Sequence, residues 1–232
     1  MFWYSADSLW TYIIFVMPAV LLAAWASANV NSTFKKYSKV QSSSGYTGYD
    51  AARRILDANG LSNIKIERIS GNLTDHYDPK AGVIRLSDSV HDNHSAAAIG
   101  VAAHEAGHAV QHATGYSPLV IRNAIIPVCN IGSNLAMPLI LLGIVLEMFG
   151  LCYLGILAFG LSTVFQLITL PVEFNASKRA LAALEGSGRF SGTDLQNASK
   201  TLRAAALTYV AALAVSLANL LRLFLLVNRR RD

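Results

Sequence analysis

Four stretches of this chain, residues 10–30, 119–146, 151–170 and about 204–227, are nearly free of charge. Each is about as long as a hydrocarbon core requires, roughly 20 residues at 1.5 Å apiece. In lipid every backbone N–H and C=O must be paired within the segment, so such stretches have to be helical. The expectation is an α+β membrane protein with about four transmembrane helices. Composition agrees: 53% of the 232 residues are hydrophobic and only 14% are charged, which is too apolar for a soluble domain.

The formal net charge of +5 calls for no nucleic acid. Its excess comes largely from Lys35, Lys36 and Lys39 after the first stretch and from Arg229, Arg230 and Arg231 at the end. These are juxtamembrane positions that suit a lipid bilayer with anionic headgroups, and no basic patch is interleaved with aromatics. Cys129 and Cys152 lie in apolar stretches without C-x-x-C spacing and read as small buried hydrophobes.

Residues 1–30 form an N-terminal transmembrane anchor. Before the apolar run there is only Asp7 and no Lys or Arg, which is unlike a cleaved signal peptide. Residues 31–118 have the texture of a polar α+β segment. Tyr49 to Asn59 repeats at helical spacing and is stopped by Gly60. Ile64–Ile69, Leu73–Tyr77 and Val83–Leu86 read as three short strands in an antiparallel meander, and Ser95 as the N-cap of a helix over Ser95–His112. Residues 119–170 are a membrane hairpin. Pro171 then opens a polar helix within residues 171–203, and a capped helix from near Ser191 or Thr193 leads into residues 204–232, the last span and basic tail. The lysines after the first span place residues 31–118 in the cytoplasm, and Lys178, Arg179, Lys200 and Arg203 agree. Arg229–Arg231 do not, unless the last stretch, interrupted by Arg222, lies along the interface; length favours four spans.

All six histidines fall between His76 and His112, and two of them form His-Glu-x-x-His at His104, Glu105 and His108. At this composition such a match arises by chance in roughly three of a thousand sequences. Residues four apart on a helix share a face, so both imidazoles can reach one Zn²⁺. Glu105 is offset to reach a water at the metal, where it can act as general base. Ala106 and Gly107 leave room for substrate or a neighbouring helix. A third ligand has to come from elsewhere. His112 is about 12 Å further along a straight helix than His104 and is too far. Glu147 is at the wrong end of the hairpin. His76, His91 and His94 stay open, and Glu173 is the best carboxylate, because the hairpin returns it to the side of His104.

The stretches GYDAARRILDANGL, DHYDPKAGVIRLSDSV, SAAAIGVAAHEAGHAVQH and PVEFNASKRAL together resemble the YugP-type family of bacterial membrane zinc metallopeptidases over nearly the whole chain. At greater distance the chain is similar to the HtpX and CAAX-protease families, where the motif is followed by a membrane hairpin and a Glu-x-x-x-Asp pair. The resemblance implies a small gluzincin-like catalytic domain and one zinc ion per chain held by His104, His108 and Glu173. It also implies hydrolysis of a protein or peptide substrate with Glu105 as base. Ser177 stands where the distant families have Asp, so Asn175 and Ser177 are the candidates for orienting a ligand. By the same analogy a substrate backbone would pair with Val83, Ile84, Arg85 and Leu86, unless that strand only covers the helix. His76 would either help hold the oxyanion or, like Asp75 and Asp78, form turns.

Three rival readings remain on the sequence. A metal transporter or an intramembrane protease would carry the motif in a spanning helix, but the apolar lead Ala96–Ala103 is too short to span. A noncatalytic membrane scaffold is disfavoured because the motif is intact. No residue pattern marks an oligomer interface or a membrane-protein partner.

Overall fold

The computed structural model describes residues 9–231, with side chains through residue 228. The N-terminal flank with Asp7, the side chains of Arg229–Arg231 and Asp232 lie outside the described residues. The chain divides into two compact units. Of the described residues, one unit, here the apolar unit, comprises 9–27, 121–170 and 207–231; the other, the polar unit, comprises 28–120 and 171–206.

Among the described residues, six helices and three strands follow in order: α1 (Leu9–Tyr37), α2 (Gly48–Ala58), β1 (Lys65–Ile69), β2 (His76–Asp78), β3 (Val83–Ser87), α3 (Ala96–Ala113), α4 (Ser117–Val145), α5 (Phe149–Gly186) and α6 (Gly192–Arg231). Helices α1, α4, α5 and α6 are each long and apolar enough to cross a membrane, as the charge-free stretches require. The proline reading is corrected. Pro171 opens no new helix but lies inside α5, and Pro127 and Pro138 likewise lie inside α4. Breaking the helix there would unpair several backbone groups next to lipid, whereas keeping it forfeits one bond per proline.

Within the apolar unit, small residues let helices approach closely. A Cβ on Gly155 would stand 2.8 Å from the Ala136 carbonyl, and one on Gly132 3.0 Å from that of Ala158. Polar side chains pair with one another: Ser133 with Ser162 at 2.6 Å, Thr163 with Ser216 at 2.8 Å, and the Tyr153 hydroxyl with Asn228 Oδ1 at 2.6 Å. Cys129 and Cys152 are buried free thiols.

The polar unit is organised around α3. Ser95 caps it by accepting from the Ala98 N–H at 3.2 Å. Helix α2 starts with a capping box between Thr47 and Asp50 and ends before Gly60, which adopts φ +71°. Leu56, Ile84, Leu86, Ile99 and Leu184 are almost wholly buried in one core, each contributing roughly 1.5–3 kcal/mol. The alanines and glycines of α3 set the spacing. A Cβ on Gly107 would meet the Ala176 carbonyl at 2.6 Å, and one on Gly100 would meet the Ala198 Cα at 3.2 Å.

The antiparallel meander is also corrected, to a mixed sheet in the order β1-β3-β2. β3 pairs in parallel with β1, Lys65 opposite Val83 through Ile69 opposite Ser87, and antiparallel with β2, His76 opposite Arg85 through Asp78 opposite Val83. The hairpin is local: Asp78 Oδ1 accepts from the N–H groups of Lys80 and Ala81 at 3.0 and 3.1 Å, and Gly82 takes φ +63°. The order follows from burial. VIRLS is buried at four of its five positions and takes the centre, while KIERI and HYD, with charged and exposed positions, take the edges. Glu67 and Asp78 reach Arg85 from either side, at 3.4 and 2.9 Å.

Candidate metal centre

The centre is built wholly within the polar unit. Helix periodicity puts His104 and His108 on one face of α3, their rings 4.7 Å apart and nearly perpendicular at 82°. Gly107, without a side chain, lets α5 pass close enough for Glu173 to reach them. Its Oε2 lies 3.2 Å from His104 Nε2 and 3.5 Å from His108 Nε2. Of the third-ligand candidates, Glu173 is the one brought to the pair, and the three residues form a group that could hold a metal ion. The spacing fits: with metal–ligand bonds of roughly 2.0–2.1 Å, neighbouring corners of a tetrahedron are about 3.3–3.4 Å apart.

The surroundings fit a cation as well. All three side chains are largely removed from solvent, Glu173 most of all at 6% exposure. Burial opposes a charged His108, but its hydrogen bond to Glu173, the negative charges of Glu105 and Glu173 and the contact with Gln111 outweigh it. The imidazole is held above its ordinary range. A field that favours positive charge at this point is the one a metal ion needs. Both rings are anchored at the far nitrogen, leaving Nε2 turned inward: His104 Nδ1 is 3.1 Å from Ser177 Oγ, and His108 Nδ1 is 3.0 Å from Gln111 Oε1. Ser177 lies four residues after Glu173, on the same side of α5. Glu105 is buried on α3 beside the pair, at 8% exposure.

The remaining nominated residues lie apart. His76 Nδ1 is 2.9 Å from the Thr74 carbonyl, His91 contacts Asp92, and His94 contacts the Gly45 carbonyl. His112 Nδ1 sits 3.0 Å from the Tyr77 hydroxyl. Asp75 forms a structural contact, accepting from the Ser87 N–H at 2.7 Å and hydroxyl at 2.9 Å. Glu147 is exposed in the link between α4 and α5. The substrate strand needs correction. Val83, Ile84, Arg85 and Leu86 belong to the central strand, whose two edges pair with β1 and β2, and three of the four side chains are buried. A peptide cannot add where an edge is already occupied. Asn175 touches no ligand; it accepts from Gln111 Nε2 at 3.0 Å and Arg179 Nε at 2.8 Å. Sequence reasoning missed Gln111, which is fully buried. Its one signal was an amide three residues after His108 on an otherwise alanine-rich helix.

Two imidazoles from His-Glu-x-x-His, a distant carboxylate and four helices fit to cross a membrane are the features of a membrane protein with a site that could hold a metal ion, the donor set being that of zinc hydrolases. Residues 12–228 match the family model described as "Putative neutral zinc metallopeptidase". The chain is 48% identical over 221 residues to a protein of Bacillus subtilis (strain 168) named "Putative membrane protease YugP", covering 95% of this chain and 98% of that one. The chain therefore belongs to this zinc metallopeptidase family. No solved structure matches it. Zinc is the cofactor the family implies, and the donor set of two nitrogens and one carboxylate oxygen suits it.

Proposed function

We propose that this chain is a zinc-dependent endopeptidase of the membrane, cutting membrane or membrane-proximal proteins on the cytoplasmic side. The observation that carries the reading is the convergence of His104, His108 and Glu173 on one point, with Glu105 buried beside them. His104, His108 and Glu173 would hold zinc there, which would supply Lewis acidity toward the scissile carbonyl and a water that is acidic at neutral pH. The residues of the chain do the rest. Glu105 takes a proton as water oxygen bonds to the carbonyl carbon, then delivers it to the nitrogen as the C–N bond breaks. Ser177 Oγ and Gln111 Oε1 lie against the outer nitrogens of the two imidazoles.

The peptide is laid along the outer edge of β2, His76–Asp78, which pairs on its other side with β3. Tyr77 of that strand contacts His112, one turn beyond His108 on α3, so this edge runs beside the motif helix. Main-chain hydrogen bonds at an edge are indifferent to side chains, which suits a peptidase of broad range. Glu173 is the third residue of the polar part of α5, after Leu170, which favours substrates emerging from the bilayer. Lys35, Lys36, Lys178 and Lys200 favour the cytoplasmic side.

The test is cleavage of casein, and of a membrane-anchored reporter, by purified zinc-loaded protein in detergent. Cleavage should stop in Glu105→Gln while metal content is unchanged. Equal cleavage by that variant, or none by the wild type, would sink the reading. For orientation, a cysteine at position 200 should resist an impermeant maleimide applied to whole cells.

A further inference from the structure

The amide of Gln111 is fully buried, and each of its polar atoms is engaged. Nε2 donates to the Val172 carbonyl at 2.8 Å and to Asn175 Oδ1 at 3.0 Å, and Oε1 faces His108 Nδ1 at 3.0 Å. Asn175 Oδ1 also accepts from Arg179 Nε at 2.8 Å. The two ends of this chain of bonds allow one sense only. A backbone carbonyl can only accept and a guanidinium can only donate, so the Gln111 nitrogen faces α5 and its oxygen faces the imidazole. An oxygen there obliges His108 to carry its proton on Nδ1, which leaves the Nε2 lone pair turned toward Glu173. His104 has no such constraint, because Ser177 Oγ can donate or accept.

We propose that Gln111 is a positioning residue: it fixes the tautomer and orientation of His108 and locks α3 to the turn of α5 that bears Glu173. Two of its three bonds go to Val172 and Asn175, which flank Glu173 in sequence, so one side chain sets the distance between a ligand on each helix. This rests on His104, His108 and Glu173 being metal ligands, and it extends that reading to a residue that does not touch the metal.

The test uses full-length protein in detergent, freed of metal by chelation and titrated with zinc or cobalt(II) against a competing chelator. Gln111→Met keeps the volume and removes the amide; zinc affinity should fall about 10- to 100-fold. Asn175→Leu removes the acceptor that steadies the amide and should cause a smaller loss. Asn175→Asp keeps both accepted bonds and should bind within about threefold of wild type. In the cobalt(II) form, the paramagnetically shifted His108 ring N–H should exchange slowly with water, and it should exchange fast or vanish in Gln111→Met. Wild-type affinity and an undisturbed resonance in Gln111→Met would overturn the proposal. Should that variant not fold, Asn175→Leu binding as tightly as wild type and Asn175→Asp would overturn it equally. Failure of the metal-centre reading looks different: His104→Ala and His108→Ala would then bind metal as the wild type does.

Discussion

The two units draw on the same long helices and pack them by opposite rules. In the apolar unit, large side chains of α5 face outward, with Leu157 69% and Leu167 58% exposed; farther along the same helix, Ala180 and Leu184 are 0% and 1% exposed in the polar unit. Lipid tails are as apolar as leucine, so an outward leucine there forfeits nothing, and close contact depends on Gly132, Gly143 and Gly155 instead. Water drives the polar unit inward, and only there can a buried carboxylate such as Glu173 be surrounded by imidazoles and an anchored hydrogen-bond chain. The same helices therefore contribute to both units, and the candidate metal centre belongs to the polar one.

The largest effect that sharpens this contrast comes from two glutamates. Glu173→Ala should reduce zinc affinity by more than about 100-fold. Glu147→Ala, in the exposed α4–α5 link, should leave metal content unchanged. Metal analysis of both purified variants measures the difference, and equal stoichiometry and affinity in all three proteins would remove Glu173 from the centre.

Core truncation should follow. Leu184→Ala is expected to destabilise by about 2–5 kcal/mol, while Leu157→Ala, at an exposed position, stays within about 0.5 kcal/mol, as read from unfolding in detergent and denaturant. Comparable losses at both positions would break the comparison. A methyl group tests spacing on a smaller scale. Gly107→Ala would push against the Ala176 carbonyl, costing about 1–3 kcal/mol and weakening zinc binding. At Gly160, where nothing beyond the surrounding helix backbone lies within 4 Å of the added carbon, the same change should be neutral or stabilising by up to about 1 kcal/mol.

The smallest effect is pH-dependent. Burial raises the Asp75 carboxyl above its ordinary 3.8, only partly offset by the hydrogen bonds from Ser87. The folded state then holds that proton more tightly than the unfolded chain. Its contribution to stability is complete below 3.8 and is lost as pH rises through the folded value. Asp75→Asn should consequently gain on the wild type as pH rises from about 3.5 toward 7, measured as the difference in thermal midpoint across a pH series. A difference that stays flat, or runs the other way, would show that Asp75 is not held in this manner.

What could be read directly was what depends on near neighbours. The apolar lengths marked four helices suited to a bilayer, and the i, i+4 spacing of His104 and His108 placed two imidazoles on one face, because both follow from helix geometry within a segment. Ser95 as a cap and Gly60 as a stop are local in the same sense. The strand order is not legible in this way, because consecutive strands need not be neighbours. Which strand sits centrally depends on what covers each face, and β3 is held from both sides by residues up to 18 positions distant, as Lys65 opposite Val83. Pro171 continues α5 rather than opening a new helix, because a break there would leave the carbonyls of the preceding apolar turn unpaired, which outweighs its local preference for a helix start.

The sequence by itself determined the apolar spans, the motif helix and the pair of histidines that helix presents on one face. Tertiary structure alone decided that β2 offers the outer edge, that Glu173 closes on His104 across 69 residues, and that Gln111 ties His108 to the opposing helix. The division is physical. Helical rise and hydrophobic length act over a few residues and are written in their order, whereas contacts between distant segments are selected only when the packed core sets which surfaces can meet.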